Sequence, residues 1–380
     1  MKIREFGVEI WMNRYENDCT YNLAETCVAS LTIDELLTLA GLSDADVMAA
    51  LRPMRLTYGA IEGSKRLRTL IAQTYERQAL TNIVVTHGAI GANALVHAAL
   101  VEPGDRVISV LPTYQQHYSI PESYAADLQI LPLREENLFL PDLDQLRSLA
   151  RPGTKLIAIN NPNNPTGALM DRAFLEEIVA IARASGAWLL SDEVYRGIGD
   201  EQNTVPPAVV DLYERGISTG SMSKAYSLAG LRLGWIAAPT EVLHAVSIHR
   251  DYTTISVGML DDFFAAVALE HGEAILERSR RITRANRAIL AEWVANEPLI
   301  SWVPPRSGTT ALLKYHVDLP SAEFCVRLQQ QTGVMLLPGS VMDMEGYVRI
   351  GYANHPEILT AGLARMSEFL AQLAVATPTA

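Results

Sequence analysis

The sequence predicts an α/β protein with a three-layer α/β/α large domain, built on a mainly parallel sheet, and a smaller α/β domain. Three observations lead to this prediction. From about residue 60, short Val/Ile/Leu-rich runs alternate with segments of helical periodicity. From about residue 260, long helical stretches dominate. The chain has 380 residues, 49% of them apolar, so it can bury a substantial core.

The alternating part of the chain predicts most of the large domain. Apolar runs predict strands at 82–86, 106–111, 128–133, 155–159, 187–190 and 233–238, with helices at 63–78, 89–101 and 172–184. Such alternation is typical of a parallel sheet covered by helices on both faces. Ligands of these sheets bind beyond the carboxyl ends of the strands. The candidate site residues follow predicted strands, as this rule requires.

The two ends of the chain predict the smaller domain. Residues 1–45 are polar and mixed, apart from a helix at 32–40 whose first residue, Thr32, resembles an N-cap. Further helices are predicted at 262–270, 274–295, 322–331 and 356–373, and strands at 309–314 and 347–350. We therefore interpret 46–260 as the large domain, and 1–45 with 261–380 as the small one.

Composition restricts the classes of partner. The formal net charge is −12, which argues against nucleic acid and anionic membranes. No run of about 18 apolar residues predicts a membrane span, and the N-terminus lacks the apolar region of a signal peptide. The histidines are scattered, so no metal site is expected. Cys19, Cys27 and Cys325 are interpreted as reduced thiols of a cytoplasmic protein.

The stretch from Ser221 to Trp235 carries the clearest chemical signal. Lys224 stands close to the small residues Ser221 and Ser223, and Arg232 comes eight positions later. A lysine amine can bond covalently to an aldehyde and acts as a base once it is released. The serine hydroxyls and the planar guanidinium are suited to phosphate oxygens. Together they indicate a site for a phosphorylated aldehyde.

Other segments with polar residues also lie beside predicted strands and helices. They are Tyr58 to Gly63, Thr86 to Gly91, Pro112 to His117, Asn161 to Gly167, Ser191 to Tyr195 and Tyr347 to Ala353. Each has an ordinary structural explanation when it is considered alone, such as a Pro/Asn/Gly turn or a packed surface tyrosine. Their number and order are hard to produce by chance.

Taken in order, these segments resemble those of the class I/II aminotransferases, the fold type I pyridoxal-phosphate enzymes. The resemblance covers essentially the whole chain, from Tyr58 to Arg349. It implies pyridoxal 5'-phosphate as the cofactor, held by Lys224. It also implies a homodimer with shared active sites, because Tyr58 matches a tyrosine that reaches the cofactor phosphate of the neighbouring subunit.

The resemblance also implies roles around the cofactor ring. Asp192 matches the aspartate that keeps the ring nitrogen protonated, so that the ring can act as an electron sink; Glu193 beside it should point elsewhere. Asn164 and Tyr195 match the residues that donate to the phenolic oxygen, and Tyr114 matches the aromatic that stacks on the ring.

Further roles concern the phosphate and the substrate. Phosphate contacts are implied for Ser221, Ser223, Arg232 and the backbone amides of Gly88, Ala89 and Ile90. Arg349 matches the arginine that binds the substrate α-carboxylate, beside Asn164.

The N-terminal segment departs from the family pattern. The family usually has Gly-x-Pro where this chain has residues 21–27, and the Pro-Gly-x-x-Phe-Gly of the small domain is altered at 338–342. Residues 11–32 resemble, more faintly, pyridoxal-phosphate enzymes that act on arginine, including oxidases and hydroxylases. Cys27 stands where those enzymes have a histidine, which speaks against hydroxylase chemistry.

Glu25 suggests a substrate class. It lies where the family backbone skirts the substrate side chain, in the same segment as Glu9 and Asp18. A carboxylate in a closed site is costly unless a cation pairs with it, and a guanidinium would make a bidentate pair. The alternative is that Glu25 is solvated or pairs with an arginine of the protein.

The resulting prediction is a pyridoxal-phosphate enzyme acting on an L-amino acid, as an aminotransferase, with arginine or canavanine as candidate substrates. Lys224 would be displaced by the substrate amine and then move the Cα proton. A β- or γ-eliminating lyase and an oxidase would use the same residues and stay open as alternatives. A non-catalytic amino-acid sensor is the remote alternative.

Overall fold

The structure is a computed structural model that describes residues 2–199 and 205–376. Its helices are α1 (Gly7–Tyr15), α2 (Ile33–Ala40), α3 (Asp44–Leu51), α4 (Lys65–Ala72), α5 (Gly88–Leu100), α6 (Gln116–Ser123), α7 (Leu143–Leu149), α8 (Arg172–Ser185), α9 (Val209–Leu212), α10 (Thr240–Asp251), α11 (Met259–Glu270), α12 (Gly272–Asn296), α13 (Ser321–Thr332) and α14 (Pro356–Ala376). Its strands are β1 (Tyr21–Asn22), β2 (Ile83–His87), β3 (Arg106–Leu111), β4 (Asp127–Pro132), β5 (Leu156–Asn160), β6 (Trp188–Asp192), β7 (Gly216–Ser221), β8 (Leu233–Ala237), β9 (Ile300–Trp302), β10 (Thr310–Tyr315), β11 (Val334–Met335), β12 (Leu337–Pro338) and β13 (Tyr347–Gly351).

Seven of these strands form the large sheet, in the order β2-β8-β7-β6-β5-β3-β4. The pairs from β7 through β6, β5 and β3 to β4 are parallel, whereas β8 runs antiparallel to both of its neighbours. The prediction of a mainly parallel sheet is confirmed. The carboxyl ends of the parallel strands therefore share one edge of the sheet, where a site can form.

Alternate residues of the central strands pack on opposite faces of this sheet. In β5, Leu156 and Ala158 join a buried cluster with residues of α5 and α10. Ile157 and Ile159 join another cluster, which includes residues of α8. This alternation follows from the two-residue period of a strand, and it explains why a strand buried on both faces reads as a continuous apolar run. The three layers predicted from the sequence are therefore present.

A second, antiparallel sheet has the order β12-β13-β10-β9. The N-terminal segment joins this part of the molecule, because β1 pairs in parallel with β11 and Tyr21 lies opposite Val334. Such a pairing is what a small domain built from both ends of the chain requires. The division into 46–260 and 1–45 with 261–380 stays a prediction.

Local signals located some elements well and others poorly. Thr32 caps α2 in a capping box with Glu35, as its sequence suggested. The helix predicted at 63–78 is wrong in its length, because α4 ends at Ala72. Beyond it, the backbone N–H groups of Glu76 and Arg77 donate to the buried carboxylate of Asp211. That long-range contact satisfies N–H groups that would otherwise belong to a continuing helix.

Strand β7 was not predicted from the sequence, although it is central and wholly buried. Its sequence, Gly-Ile-Ser-Thr-Gly-Ser, contains Ile217 as its one large apolar residue. The polar side chains are satisfied by the neighbours of the strand: Ser218 Oγ donates to Glu193 Oε1 at 2.8 Å, and Thr219 Oγ1 donates to Asn93 Oδ1 at 2.8 Å. A search for apolar runs overlooks a strand of this kind.

The N-terminal residues, read from the sequence as polar and mixed, contain the helix α1. Val8 and Trp11 are its buried residues, and they belong to the largest core cluster. Trp11 Nε1 donates to the carbonyl of Leu336 at 2.9 Å, which holds α1 against the segment between β11 and β12. In this position, Glu9 and Met12 of α1 reach a cavity at the edge of the large sheet.

Candidate active site

A cavity of about 370 Å³ lies at the carboxyl edge of the large sheet. Residues from α1, the turn at 24–26, the start of α5, the ends of β5, β6 and β7, and β13 contribute to its walls. The predicted site residues that line it are Glu25, Ala89, Ile90, Tyr114, Asn164, Asp192, Tyr195, Ser221, Ser223, Lys224, Arg232 and Arg349. Segments far apart in the chain therefore meet in one place.

Two predicted site residues do not line this cavity. Gly88 lies immediately behind it, with a φ of +64°, and a Cβ added there would lie 3.2 Å from Arg232 Nη2. Glycine is suited both to the left-handed backbone and to this close approach. Tyr58 lies in the loop before α4, and its side chain is 74% exposed. Within a single chain it stays away from the cavity.

Lys224 is held by the N-terminal turn. Its Nζ donates to Thr26 Oγ1 at 2.6 Å and to Cys27 Sγ at 3.4 Å. Burial by itself would lower the pKa of this amine, but the nearby Cys27, Tyr195 and Glu25 outweigh that effect and raise it. The free lysine is therefore a partly buried cation whose hydrogen-bond partners are Thr26 and Cys27.

Asp192 lies at the end of β6 and is 4% exposed. Its Oδ2 accepts a hydrogen bond from Asn93 Nδ2 at 2.8 Å and lies 3.5 Å from His117 Nε2, while Oδ1 accepts from the backbone N–H of Val194 at 3.2 Å. Asn93 was missed by the sequence analysis. It stands four residues after Ala89 on α5, so helical spacing could have placed it on the same face. These contacts fix a carboxylate that faces the cavity.

The register of the sheet aligns the polar ends of three strands. Asn160 on β5, Asp192 on β6 and Thr219 on β7 are opposite one another. Asn160 Nδ2 donates to the carbonyl of Asp192 at 2.8 Å, and its Oδ1 accepts from the N–H of Asn164 at 2.6 Å. The Asn-Pro turn is thereby fixed to the sheet edge, and Asn164 and Asp192 line the same cavity.

Tyr195 carries a buried hydroxyl with no hydrogen-bond partner among the described residues, although the side chain is only 1% exposed. An isolated buried hydroxyl is costly. The residue lines the cavity, so a ligand there can provide the partner. Glu193, by contrast, does not line the cavity: its Oε1 accepts from Val209 N at 3.0 Å and from Ser218 Oγ at 2.8 Å.

One end of the cavity is built for an anion. Ala89 and Ile90, at the start of α5, line it together with Ser221, Ser223 and Arg232. The N–H groups at the first turn of a helix have no partner within the helix and attract anions. A Cβ at Gly234 would lie 2.4 Å from the carbonyl carbon of Gly88, so this glycine lets α5 begin directly against β8.

Arg349 lines the cavity from β13 and is 3% exposed. Its Nη1 donates to Asn164 Oδ1 at 3.2 Å and its Nη2 to the carbonyl of Ala24 at 3.0 Å, while Nε has no partner among the described residues. Burial lowers the pKa of the guanidinium, although it remains a strong base. A buried guanidinium beside an amide is suited to a carboxylate.

The wall formed by the N-terminal segment is acidic. Glu9 and Glu16 line the cavity with Glu25. Glu9 Oε1 accepts from Tyr114 Oη at 3.1 Å, and burial raises the pKa of that tyrosine. Asp18, from the same segment, is exposed and does not line the cavity. Glu16 was missed by the sequence analysis because the position of α1 was unknown.

Glu25 itself is folded back onto its own turn. Its Oε1 accepts from the N–H groups of Thr26 at 2.7 Å and Cys27 at 2.9 Å. Burial alone would raise the pKa of this carboxyl, but Lys224 and these hydrogen bonds hold it below its ordinary value. Glu25 is therefore a carboxylate, and neither of the explanations offered from sequence anticipated its bonds to the adjacent backbone.

Metal clusters and membrane-spanning helices are both missing from the described part of the chain. In residues 2–199 and 205–376, no three His, Cys, Asp or Glu side chains are grouped to bind a metal ion. No helix within these ranges is both long and apolar enough to cross a bilayer.

Comparison with known proteins identifies the family. Residues 22–365 match the family described as aminotransferase class I and II. The chain belongs to this family. A solved structure of a PLP-dependent aminotransferase from Streptococcus suis is 46% identical, with a TM-score of 0.95 over 98% of this chain and 99% of that one. The chain has the aspartate aminotransferase-like fold type I, since an aspartate aminotransferase structure from Thermus thermophilus, 24% identical, matches it with a TM-score of 0.85 over 97% of each chain.

Two curated relatives are similar over most of the chain. Capreomycidine synthase from Streptomyces vinaceus is 32% identical over 366 residues, which cover 96% of this chain and 93% of that protein. An arginine–pyruvate transaminase from Pseudomonas aeruginosa is 28% identical over 326 residues, which cover 83% of each chain. This family member is thus a pyridoxal-phosphate-dependent enzyme of the transferase class.

The side chains of the cavity also fit pyridoxal phosphate, independently of the comparison with known proteins. It has a lysine amine, a buried carboxylate, an unpartnered tyrosine hydroxyl and an anion site at a helix start. These are the groups that an aldehyde, a pyridine nitrogen, a phenolic oxygen and a phosphate require. When bound, pyridoxal phosphate withdraws electrons from the substrate Cα.

Proposed function

We propose that the protein is an aminotransferase for an L-amino acid with a cationic side chain, of which arginine and canavanine are examples. The observation that carries this proposal is the charge of the cavity wall. Glu9, Glu16 and Glu25 line the side formed by the N-terminal segment. Glu9 and Glu25 are partly buried and Glu16 is exposed, so a cation on the substrate would pair with carboxylates of which two are partly removed from water.

In this proposal, the positively charged side chains of the cavity bind the cofactor and the substrate α-carboxylate, and so do not neutralise the glutamates. Lys224 holds the cofactor aldehyde, Arg232 binds the phosphate and Arg349 binds the substrate α-carboxylate. All three line the same cavity as the three glutamates. With those cations engaged, a guanidinium or ammonium on the substrate is the natural partner for the acidic wall.

Five side chains of the cavity have roles in catalysis in this proposal. Lys224 would hold the cofactor aldehyde, and its amine, once free, would be the base that takes the proton from Cα. Asp192 keeps a proton on the ring nitrogen, because a buried anion favours the protonated form. Asn164 and Tyr195 donate to the phenolic oxygen. Arg349 holds the carboxylate, so that Cα faces the lysine.

The other predicted roles belong to binding. Tyr114 packs against the cofactor ring. The hydroxyls of Ser221 and Ser223 and the first amides of α5, from Gly88, Ala89 and Ile90, donate to the phosphate. Tyr58 contributes from the partner subunit of a homodimer, since in its own chain it is exposed and outside the cavity.

A second candidate is a lyase or cyclising enzyme that begins with the same removal of the Cα proton. Its support is the similarity to a PLP-dependent cyclase, OrfR, whose solved structure is 28% identical with a TM-score of 0.90 over 98% of each chain. The two candidates differ in the step that comes after deprotonation. A transaminase needs a keto acid to complete its cycle, and a lyase does not.

The deciding experiment is incubation of the holoenzyme with arginine, canavanine, ornithine, lysine, alanine and aspartate, each with and without pyruvate or 2-oxoglutarate. Keto-acid product, ammonia and peroxide are measured. We expect turnover of the cationic amino acids only when a keto acid is present. Turnover without a keto acid would refute transamination, and ammonia release would then support the lyase; peroxide would support an oxidase.

Glu25→Gln tests the substrate side chain. Glutamine keeps the Oε1 acceptor that holds the Thr26 and Cys27 amides, and it removes the negative charge. Loss of one partner of a buried charge pair costs about 2–5 kcal/mol, so kcat/KM for arginine should fall more than tenfold. Asp18→Asn, in the same segment but outside the cavity, is the matched control. Equal kcat/KM for the wild type and Glu25→Gln would remove the argument for a cationic substrate.

A further inference from the structure

We propose that Thr26 and Cys27 receive the Lys224 amine whenever it is not bonded to the cofactor, and that they aim it at the substrate Cα. The inference deepens the proposed function and rests on Lys224 being the cofactor lysine. It assigns a positioning role to two residues in the segment that replaces the Gly-x-Pro of the family.

Both residues contact the amine directly. Lys224 Nζ donates to Thr26 Oγ1 at 2.6 Å and to Cys27 Sγ at 3.4 Å. Each of the two receiving side chains belongs to a residue that is only 8% exposed. Water therefore competes little for the amine, and the geometry is set by the protein.

The turn that carries the pair is fixed on several sides. Glu25 Oε1 accepts from the backbone N–H groups of both Thr26 and Cys27. The carbonyl of Thr26 accepts from Thr309 Oγ1 at 2.7 Å. Gly351 comes so close to the turn that a Cβ there would lie 1.7 Å from the carbonyl oxygen of Glu25. A side chain on such a turn can hold a flexible lysine in a defined position.

Two hydrogen-bond acceptors are enough to fix the direction in which the Lys224 lone pair points. A neutral primary amine has two N–H groups and one lone pair. The free ammonium must therefore lose a proton before it can act as a base. If Thr26 Oγ1 and Cys27 Sγ then accept the two remaining N–H groups, the lone pair points away from both. Proton transfer then breaks the Cα–H bond and forms a third N–H bond on Lys224, while the electron pair stays with the substrate carbon. Orientation of this kind lowers the entropic part of the barrier.

The first test labels the full-length protein after the cofactor has been removed. Acetic anhydride is applied over a range of pH, and acetylation of the peptide containing Lys224 is measured by mass spectrometry. In Thr26→Val/Cys27→Ala, the amine loses both partners but stays partly buried, so its neutral fraction should rise and acetylation at any fixed pH at which the protein is folded should be about tenfold faster than in the wild type. Thr26→Ser should follow the wild type because it keeps the hydroxyl.

The two single variants are labelled as well, so that the proposal can still be tested if the double variant does not fold. Thr26→Val and Cys27→Ala should each shift the acetylation profile in the same direction, while Cys19→Ala, which changes a cysteine outside the cavity, should not. Identical profiles for the wild type and all variants at Thr26 and Cys27 would overturn the proposal.

The second test uses the holoenzyme and L-arginine deuterated at Cα. Loss of deuterium to water should slow more than tenfold in Thr26→Val, with a larger isotope effect on kcat and little change in KM. Unchanged exchange, with borohydride still attaching the cofactor to Lys224, would refute this inference alone. Attachment to a different residue would refute the proposed function instead.

Discussion

In Lys224, burial and nearby charge act on the pKa of the amine in opposite directions. Burial favours the neutral amine, while Cys27, Tyr195 and Glu25 favour the ammonium and prevail. Covalent bonding to the cofactor would convert this strongly basic amine into a less basic imine. Glu25 would then face less positive charge from the protein, which would favour a cationic substrate.

We predict that the purified enzyme is yellow and that borohydride fixes the chromophore to the peptide containing Lys224. Lys224→Ala should bind the cofactor weakly and lose turnover by roughly 10³-fold or more, because it lacks both the covalent link and the base. Absorbance, peptide mapping and kcat are the measurements. Lys65→Ala, at the start of α4 and outside the cavity, is the control. A labelled peptide from elsewhere in the chain would contradict the assignment.

Glu193 is a buried carboxyl outside the cavity. Burial raises its pKa to about 7, against the opposing effects of Arg196 and of the hydrogen bonds from Val209 and Ser218. Because its pKa is higher in the folded state, the folded protein binds more protons than the unfolded chain. The associated stability is complete below the ordinary pKa of 4.5 and is lost as the pH rises through about 7.

Glu193→Gln should therefore flatten the pH dependence of stability. Glutamine keeps the Oε1 acceptor but cannot ionise. Between about pH 4.5 and 8, the wild type should lose on the order of 3 kcal/mol of unfolding free energy relative to the variant. Chemical denaturation at several pH values measures this difference, with the exposed Glu357→Gln as control. Parallel curves for the wild type and Glu193→Gln would show that the carboxyl does not titrate in this range.

At the scale of elements, the anion site depends on how closely α5 approaches β8. Gly234 on β8 makes this possible, since a Cβ there would lie 2.4 Å from the carbonyl carbon of Gly88 and 2.5 Å from the N atom of Ala89. Both contacts are with backbone, which cannot move aside as a flexible side chain can. The first turn of α5 would have to shift.

Gly234→Ala should weaken cofactor binding and also destabilise the fold by about 1–3 kcal/mol. Gly230→Ala is the matched control, since a Cβ at that exposed position meets nothing within 4 Å. Cofactor affinity, measured by absorbance titration of the apoprotein, and Tm report the two effects. Wild-type affinity in Gly234→Ala would mean that the start of α5 does not determine phosphate binding.

At the scale of the whole molecule, Tyr58 indicates a surface that a second subunit would cover. Tyr58 and Leu56 are 74% and 80% exposed, and Ile61 and Leu260 are also exposed. Large apolar side chains in such numbers are typical of contact surfaces. A homodimer in which Tyr58 reaches the partner's cavity would bury these exposed side chains.

We predict that Tyr58→Phe and Lys224→Ala complement each other in mixed dimers. One site of each mixed dimer would combine an intact lysine with an intact tyrosine from the other chain. An equal mixture should then regain up to about a quarter of wild-type activity, because half of the dimers are mixed and each has one complete site. The unmixed variants provide the baseline. Activity no greater than the mean of the two baselines would indicate self-contained sites.

The sequence by itself determined the kind of fold and most of the chemistry. The alternation of apolar runs and helices specified the layered sheet, because burial on both faces requires such runs. The site segments could be recognised because each is a local pattern: a lysine beside serines, an Asn-Pro turn after a strand, an aspartate at a strand end. Their common location followed from the rule that parallel strands end at one edge.

Only the tertiary structure decided which side chains touch. Lys224 bonds to Thr26, 198 residues earlier, and Asp192 to Asn93, 99 residues earlier. No local periodicity encodes such pairs, because they depend on how whole elements pack. The same reason explains why β7 was missed: its Ser218 and Thr219 are buried polar groups that find partners only after folding. The carboxylate of Glu25 likewise accepts hydrogen bonds from the backbone of its own turn, and no sequence pattern indicated this.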